Sequence, residues 1–215
     1  MQIQYSTYAE LCDLAPGSVV VSGSVMVMPF TNAELANQAA KVMSERADSP
    51  GLIWAILDAQ KVGFVQVVNA AFTASQSTWF GYVAQDAFAG RRWLALAIEA
   101  LGDRKGLLGF NDGKWAGSLA AFGIARRSWA QQNYPEQNHC FFYPQYARHY
   151  ADAELTLLAL QAGVYAYEPN SILVEVDWDK DHASVDAHDR TVFAQRKAQH
   201  FDGKVTQAVL LDLIA

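Results

Sequence analysis

Apolar positions along this chain fall into short continuous runs, separated by stretches where they recur at helical spacing. Residues 24–30, "SVMVMPF", form a β-rich run broken near its end by proline. "TNAE" follows, and Thr31 with Glu34 has the form of a capping box. Leu35, Ala36, Ala39, Val42 and Met43 then share one helical face, which predicts an amphipathic helix over 32–46. "SPG" at 49–51 ends it. "LIWAILD" at 52–58 is a continuous apolar run, short enough for a strand covered on both faces, and it closes on Asp58.

The pattern continues downstream. Residues 63–78 predict a strand running into a short helix around Asn69, and "WFGYVAQD" at 79–86 predicts a strand closing on Asp86. "RRWLALAIEALG" at 91–102 predicts a helix with Trp93, Leu94, Ala97, Ile98 and Leu101 on one side and Gly102 as its C-cap. A strand and turn follow at 106–112, then a helix at 150–163 that stops at Gly163. A strand at 172–178 and a last helix at 189–201, capped by Asp189, complete the set. Strands alternating with helices predict an α/β fold: a three-layer, open, mostly parallel sheet flanked by helices.

Composition narrows the function classes. The chain has 215 residues, of which 52% are hydrophobic and 18% charged, enough for the core of a single domain. A formal net charge of −6 disfavours binding to nucleic acid or to an anionic membrane surface, although Arg126 and Arg127 form a local basic pair. Cys12 and Cys140 have neither metal-site spacing nor a disulfide framework. No run approaches the roughly 20 apolar residues of a transmembrane segment. The N-terminus lacks the pattern of a secretion signal, so a cytoplasmic location is expected. The signatures of P-loop enzymes, Rossmann dehydrogenases, kinases and α/β-hydrolases are absent.

Asp58 and Asp86 both stand at the carboxyl ends of predicted strands, where open α/β sheets bind ligands. A carboxylate there can hold a hard divalent cation and through it a phosphate-rich ligand. Each Asp also serves simply as a turn residue. Taken in order, several segments resemble the inverting nucleotide-sugar glycosyltransferases of the GT-A fold. These are the first strand and capped helix, the strand ending at Asp58, Asn69 before small residues, "AQDAFAGRRW", "NDGKWAGSLAAFGIARRSW", "YPQYARHYADAELTLLALQAG" and "VEVDWDKDH". The resemblance spans residues 24–201, with a nucleotide-binding half over about 18–112 and an acceptor and catalytic half over about 113–215.

That resemblance implies transfer of a sugar from a nucleoside-diphosphate donor to a carbohydrate or other hydroxyl acceptor, with manganese or magnesium at the diphosphate. It implies that Asp152, in "YADAE", is the catalytic base, and that Pro29, Asp58, Asn69, Asp86 and Arg126 contact the nucleotide-sugar. It implies that Asp86, Asp177 and His182 hold the metal. The chain departs from the family where the DxD motif should stand, because Ala84 and Gln85 replace its first two positions. A catalytically inactive nucleotide- or sugar-binding scaffold is therefore the alternative.

Each of these residues also has a plainer use. Asp152 and Glu154 suit the first turn of a helix electrostatically, and being two apart they do not share a face. Arg126 and Arg127 read equally as surface charges or as a fork for a diphosphate. The acidic stretch 177–189 has His182 and His188 where a calcium loop needs Gly and Glu, so it is a solvated loop or a contributor to the metal site. All five histidines lie between 139 and 200, which suggests a polar cleft wall in that half.

Overall fold

The computed structural model describes residues 1–176 and 186–213. Its strands are β1 (Gln2–Thr7), β2 (Val19–Val20), β3 (Ser24–Phe30), β4 (Gly51–Leu57), β5 (Ser75–Gln76), β6 (Trp79–Tyr82), β7 (Ala87–Ala89), β8 (Leu107–Asn111), β9 (Gly123–Arg126) and β10 (Tyr165–Glu175). The helices that matter below are α1 (Tyr8–Cys12), α2 (Ala33–Arg46), α3 (Phe64–Ala74), α4 (Trp93–Leu101), α5 (Arg127–Ala130), α6 (Ala151–Gln161) and α7 (Ala187–Ala198). Among the described residues one eight-stranded sheet runs in the order β1-β4-β3-β6-β9-β8-β10-β7. Pairing is parallel except where β9 meets β6 and β8, and where β7 meets β10. The expected open, mostly parallel α/β sheet is the observed one.

The apolar runs explain the layers. Successive residues of a strand face opposite sides of a sheet. Val25, Val27, Leu52, Trp54 and Ile56 enter one buried cluster, together with residues of α3 and α6. Met26, Met28, Ile53 and Ala55 enter a second, with residues of α2 and α4. Covered on both faces, β3 and β4 need no alternation of polar residues, and they show none. The stripe on α4 is as expected: Trp93, Leu94, Ala97 and Leu101 are buried, and Gly102 caps the helix by donating its N–H to Ile98.

Several boundaries differ from the sequence expectation. The 63–78 segment is not a strand entering a helix. Residues Phe64–Ala74 are one helix, buried around most of its circumference, which is why its run of apolar residues shows no clean stripe. The N-cap of α2 is Asn32, not Thr31: the Asn32 Oδ1 accepts from the N–H groups of Glu34 and Leu35. The capping box lies instead at Thr7 and Glu10, ahead of α1. The strand from Trp79 stops at Tyr82, and Asp86 falls in the turn before β7. The N-cap of α7 is Asp186. Asp189 points back to another loop, as described next. No helix of the described residues is long and apolar enough to cross a membrane.

Candidate active site

The parallel strands β3 and β4 end side by side, with Phe30 opposite Leu57. Beyond them opens a crevice of about 560 Å³ whose lining includes Pro29, Asp58, Lys61, Gln85, Arg148 and Glu175. A narrower chamber of about 140 Å³ adjoins it, sharing Phe64 and Arg148 and reaching Tyr82, Phe142 and Asp152. The two spaces neighbour each other at the carboxyl edge of the sheet, where open α/β sheets take ligands.

Three buried carboxylates give this cleft its shape. Asp58 accepts from the N–H of Val62 at 2.8 Å and of Gly63 at 3.0 Å, one per oxygen. Its carboxylate thus closes the turn after β4 and sets Lys61, at φ 55°, on the crevice wall. Gly63 follows at φ 109°, where a Cβ would lie 2.7 Å from the Ala147 carbonyl oxygen. That close approach admits only glycine and seats the 147–149 loop against the start of α3. Asp189, fully buried, takes the N–H groups of Ala147, Arg148 and His149 at 2.7, 2.9 and 2.8 Å. It fixes the backbone that carries Arg148 into the cleft. Gln85 acts alike, its Oε1 accepting from Thr31 and Asn32, each at 2.9 Å.

The third carboxylate, Glu154, lies on the buried face of α6. It accepts from Tyr134 at 3.1 Å and Tyr146 at 2.9 Å, and Arg196 reaches it at 2.6 Å. Asp152, on the chamber side of the same helix, keeps part of its surface open to that space. Crowding by surrounding protein pushes its carboxyl up to about 6. The amides of Ala153 and Asp152 partly offset that rise, and the negative charge of Asp112 adds to it. A carboxyl there is mostly ionised at neutral pH yet basic enough to accept a proton from a hydroxyl.

The residues predicted from sequence divide accordingly. Pro29 and Asp58 line the crevice and Asp152 the adjoining chamber. Asp86 is buried at the floor of a neighbouring groove between α2 and β7, which shares Gln85 with the crevice. The strand was expected to carry it to the cleft, but the chain turns after Tyr82 and directs it to the other side of Gln85. Asn69 lies within α3, its Oδ1 accepting from Phe141 and Phe142 and its Nδ2 donating to the Phe142 carbonyl. It is a bracket for that loop, with its amide already engaged. Arg126 ends β9, which runs antiparallel to β6 and pairs Arg126 with Trp79. The reversal puts it at the opposite edge of the sheet from the crevice, over the Trp79 ring and bonded to the Gly102 carbonyl. Arg127 is held there too, by the Phe72 carbonyl and the Ser75 hydroxyl. Asp177 and His182 lie outside the described residues.

Sequence reading missed Lys61, Arg148 and the role of Gln85. Signals existed: "DAQKVG" puts a cation in the turn after the Asp58 strand, and "ARHYAD" puts another four residues before Asp152. Among the described residues no three His, Cys, Asp or Glu side chains come together to hold a metal ion. Two carboxylates among the described residues line the crevice, Asp58 and Glu175, and Asp58 already closes a turn. The described residues therefore do not by themselves fit a divalent cation.

No family model matches the chain, and no curated protein sequence matches it. Solved structures do. A Drosophila β1,4-galactosyltransferase 7 variant, in complex with manganese, UDP-Gal and xylobiose, superposes with a TM-score of 0.59 at 14% identity, over 78% of this chain and 75% of its own. A mannosyltransferase from Pyrobaculum calidifontis with GDP-Man and manganese gives 0.54 at 13%, over 96% and 74%. Glucosyl-3-phosphoglycerate synthase from Mycobacterium tuberculosis, with magnesium and UDP, gives 0.56 at 11%, over 96% and 88%. The chain has the GT-A glycosyltransferase fold.

Proposed function

We propose that this protein transfers a sugar, with inversion, from a nucleoside-diphosphate donor held in the crevice to a hydroxyl acceptor that enters the chamber. One observation carries the reading. Asp152 stands in the first turn of α6, facing a chamber that joins the crevice through Phe64 and Arg148. A base and a ligand cleft thus meet at the carboxyl edge of the sheet, in the fold shared with the galactosyl-, mannosyl- and glucosyl-transferring proteins above.

In this reading the Asp152 carboxylate takes the proton of the acceptor hydroxyl. The hydroxyl oxygen bonds to the anomeric carbon, and the carbon–oxygen bond to the diphosphate breaks with its electron pair leaving on the phosphate. Pro29 and the turn from Asp58 to Lys61 form the donor wall, and Phe64 with Phe142 line the way to the base. Wall and base stand on separate elements, so donor and acceptor approach from different sides.

The test is a panel of UDP- and GDP-sugars, offered with manganese or with a chelator, and scored for release of nucleoside diphosphate. Release that falls about 10²–10⁴-fold in Asp152→Asn while nucleotide binding persists supports the reading. No release from any donor, or equal release by the variant, removes it.

A further inference from the structure

Two carboxylates beside this cleft, Asp58 and Asp189, spend their oxygens on loop amides, and the two loops they hold each deliver a cation. Asp58 folds the turn that carries Lys61, and Asp189 clamps the loop that carries Arg148. Both side chains line the crevice, both are exposed, and neither forms an ion pair among the described residues. Lys61 is held in the left-handed region, at φ 55°, a conformation lysine adopts at a cost. Arg148 also borders the chamber with Asp152, so it stands at the junction of the two spaces.

We propose that Lys61 and Arg148 grip the diphosphate of the donor directly, doing at this cleft what a divalent cation does elsewhere, so that nucleoside diphosphate binds with no metal present. The proposal rests on the donor reading above. A guanidinium offers paired N–H donors that match two phosphate oxygens, and an ammonium supplies a compact point charge. At the junction, Arg148 is placed to stabilise the charge that grows on the leaving phosphate as the sugar departs. In a chain of net charge −6, Lys61 and Arg148 offset Asp58 and Glu175 in the crevice lining, so the crevice is less acidic than the chain as a whole.

The experiment is calorimetric titration of UDP, GDP and inorganic pyrophosphate into the protein in EDTA, repeated with manganese. Wild type, Lys61→Ala, Arg148→Ala, Arg148→Lys and Asp152→Asn are compared, with thermal melts to confirm folding. Expected is binding of a nucleoside diphosphate in EDTA, weakened about tenfold or more by either alanine substitution and partly regained in Arg148→Lys. Asp152→Asn, which removes a negative charge from the chamber that Arg148 borders, should bind no more weakly than wild type. Binding that appears only with manganese, or that both alanine variants retain in EDTA, overturns the cation grip and leaves the donor reading standing. An absence of nucleotide binding in every condition overturns the donor reading itself, and this proposal with it.

Discussion

Two residues apart on α6, Asp152 and Glu154 have different surroundings. Glu154 is sealed among Tyr134, Tyr146 and Arg196, and the Arg196 guanidinium also lies 3.8 Å from the centre of the Tyr143 ring. Removing one side of a buried charge pair strands the other, so Glu154→Ala should lower stability by about 3–5 kcal/mol in denaturant titration. Asp152 is raised to about 6, above its value in an unfolded chain. Its ionisation therefore opposes folding: the related stability is whole below about pH 4, and it is lost as pH rises through about 6. Asp152→Asn should accordingly melt higher than wild type at pH 7.5, with the difference vanishing near pH 4. The rate of transfer should show the mirror image, rising with pH to a plateau above about 6 as the base ionises. A profile flat between pH 5 and 8 would count against Asp152 as the base. That the two acids would part company was legible from the sequence, because residues two apart on a helix cannot share a face. Which one met the cleft came from resemblance.

At the scale of elements, the cleft depends on loops tied down from behind. Asn69 is the clearest case: from within α3 it satisfies two amides and one carbonyl of the 141–142 loop. Asn69→Leu keeps the volume and removes all three bonds. We expect a loss of about 2–4 kcal/mol on heating, at the rate of about 1–3 kcal/mol for a stranded buried group. Phe142, which lines the chamber, should lose its seat as well. The strands β3 and β4 and the helices α2 and α4 were readable because long apolar runs and clean periodicity leave few alternatives. β9 was not. Its four residues, Gly123–Arg126, carry two small side chains and no alternation, and nothing in them records the direction of the strand. Arg126 was misplaced for that reason alone. The Asp86 turn was hidden likewise, because "WFGYVAQD" stays apolar well past the point where pairing to β3 ends.

For the whole molecule, the sheet ties the first half to the second: β9, from the later part of the chain, lies between β6 and β8. The core on the α3 side includes Trp54 and Phe80 along with Phe141, from the loop that Asn69 holds. Trp54 is wholly buried and its Nε1 donates to the Ser6 hydroxyl at 3.1 Å. Trp54→Ala should cost about 3–5 kcal/mol and lower Tm by about 10 °C, read by calorimetry. The layered architecture was legible as a class from the alternation of elements. The strand order was not, because pairing between distant strands leaves no local mark in the sequence.

The helix α7 supplies two of the cleft's supports, Asp189 beneath the Arg148 loop and Arg196 beneath Glu154. One helix thus anchors both a crevice loop and the helix that carries Asp152, so undocking α7 would release the two together.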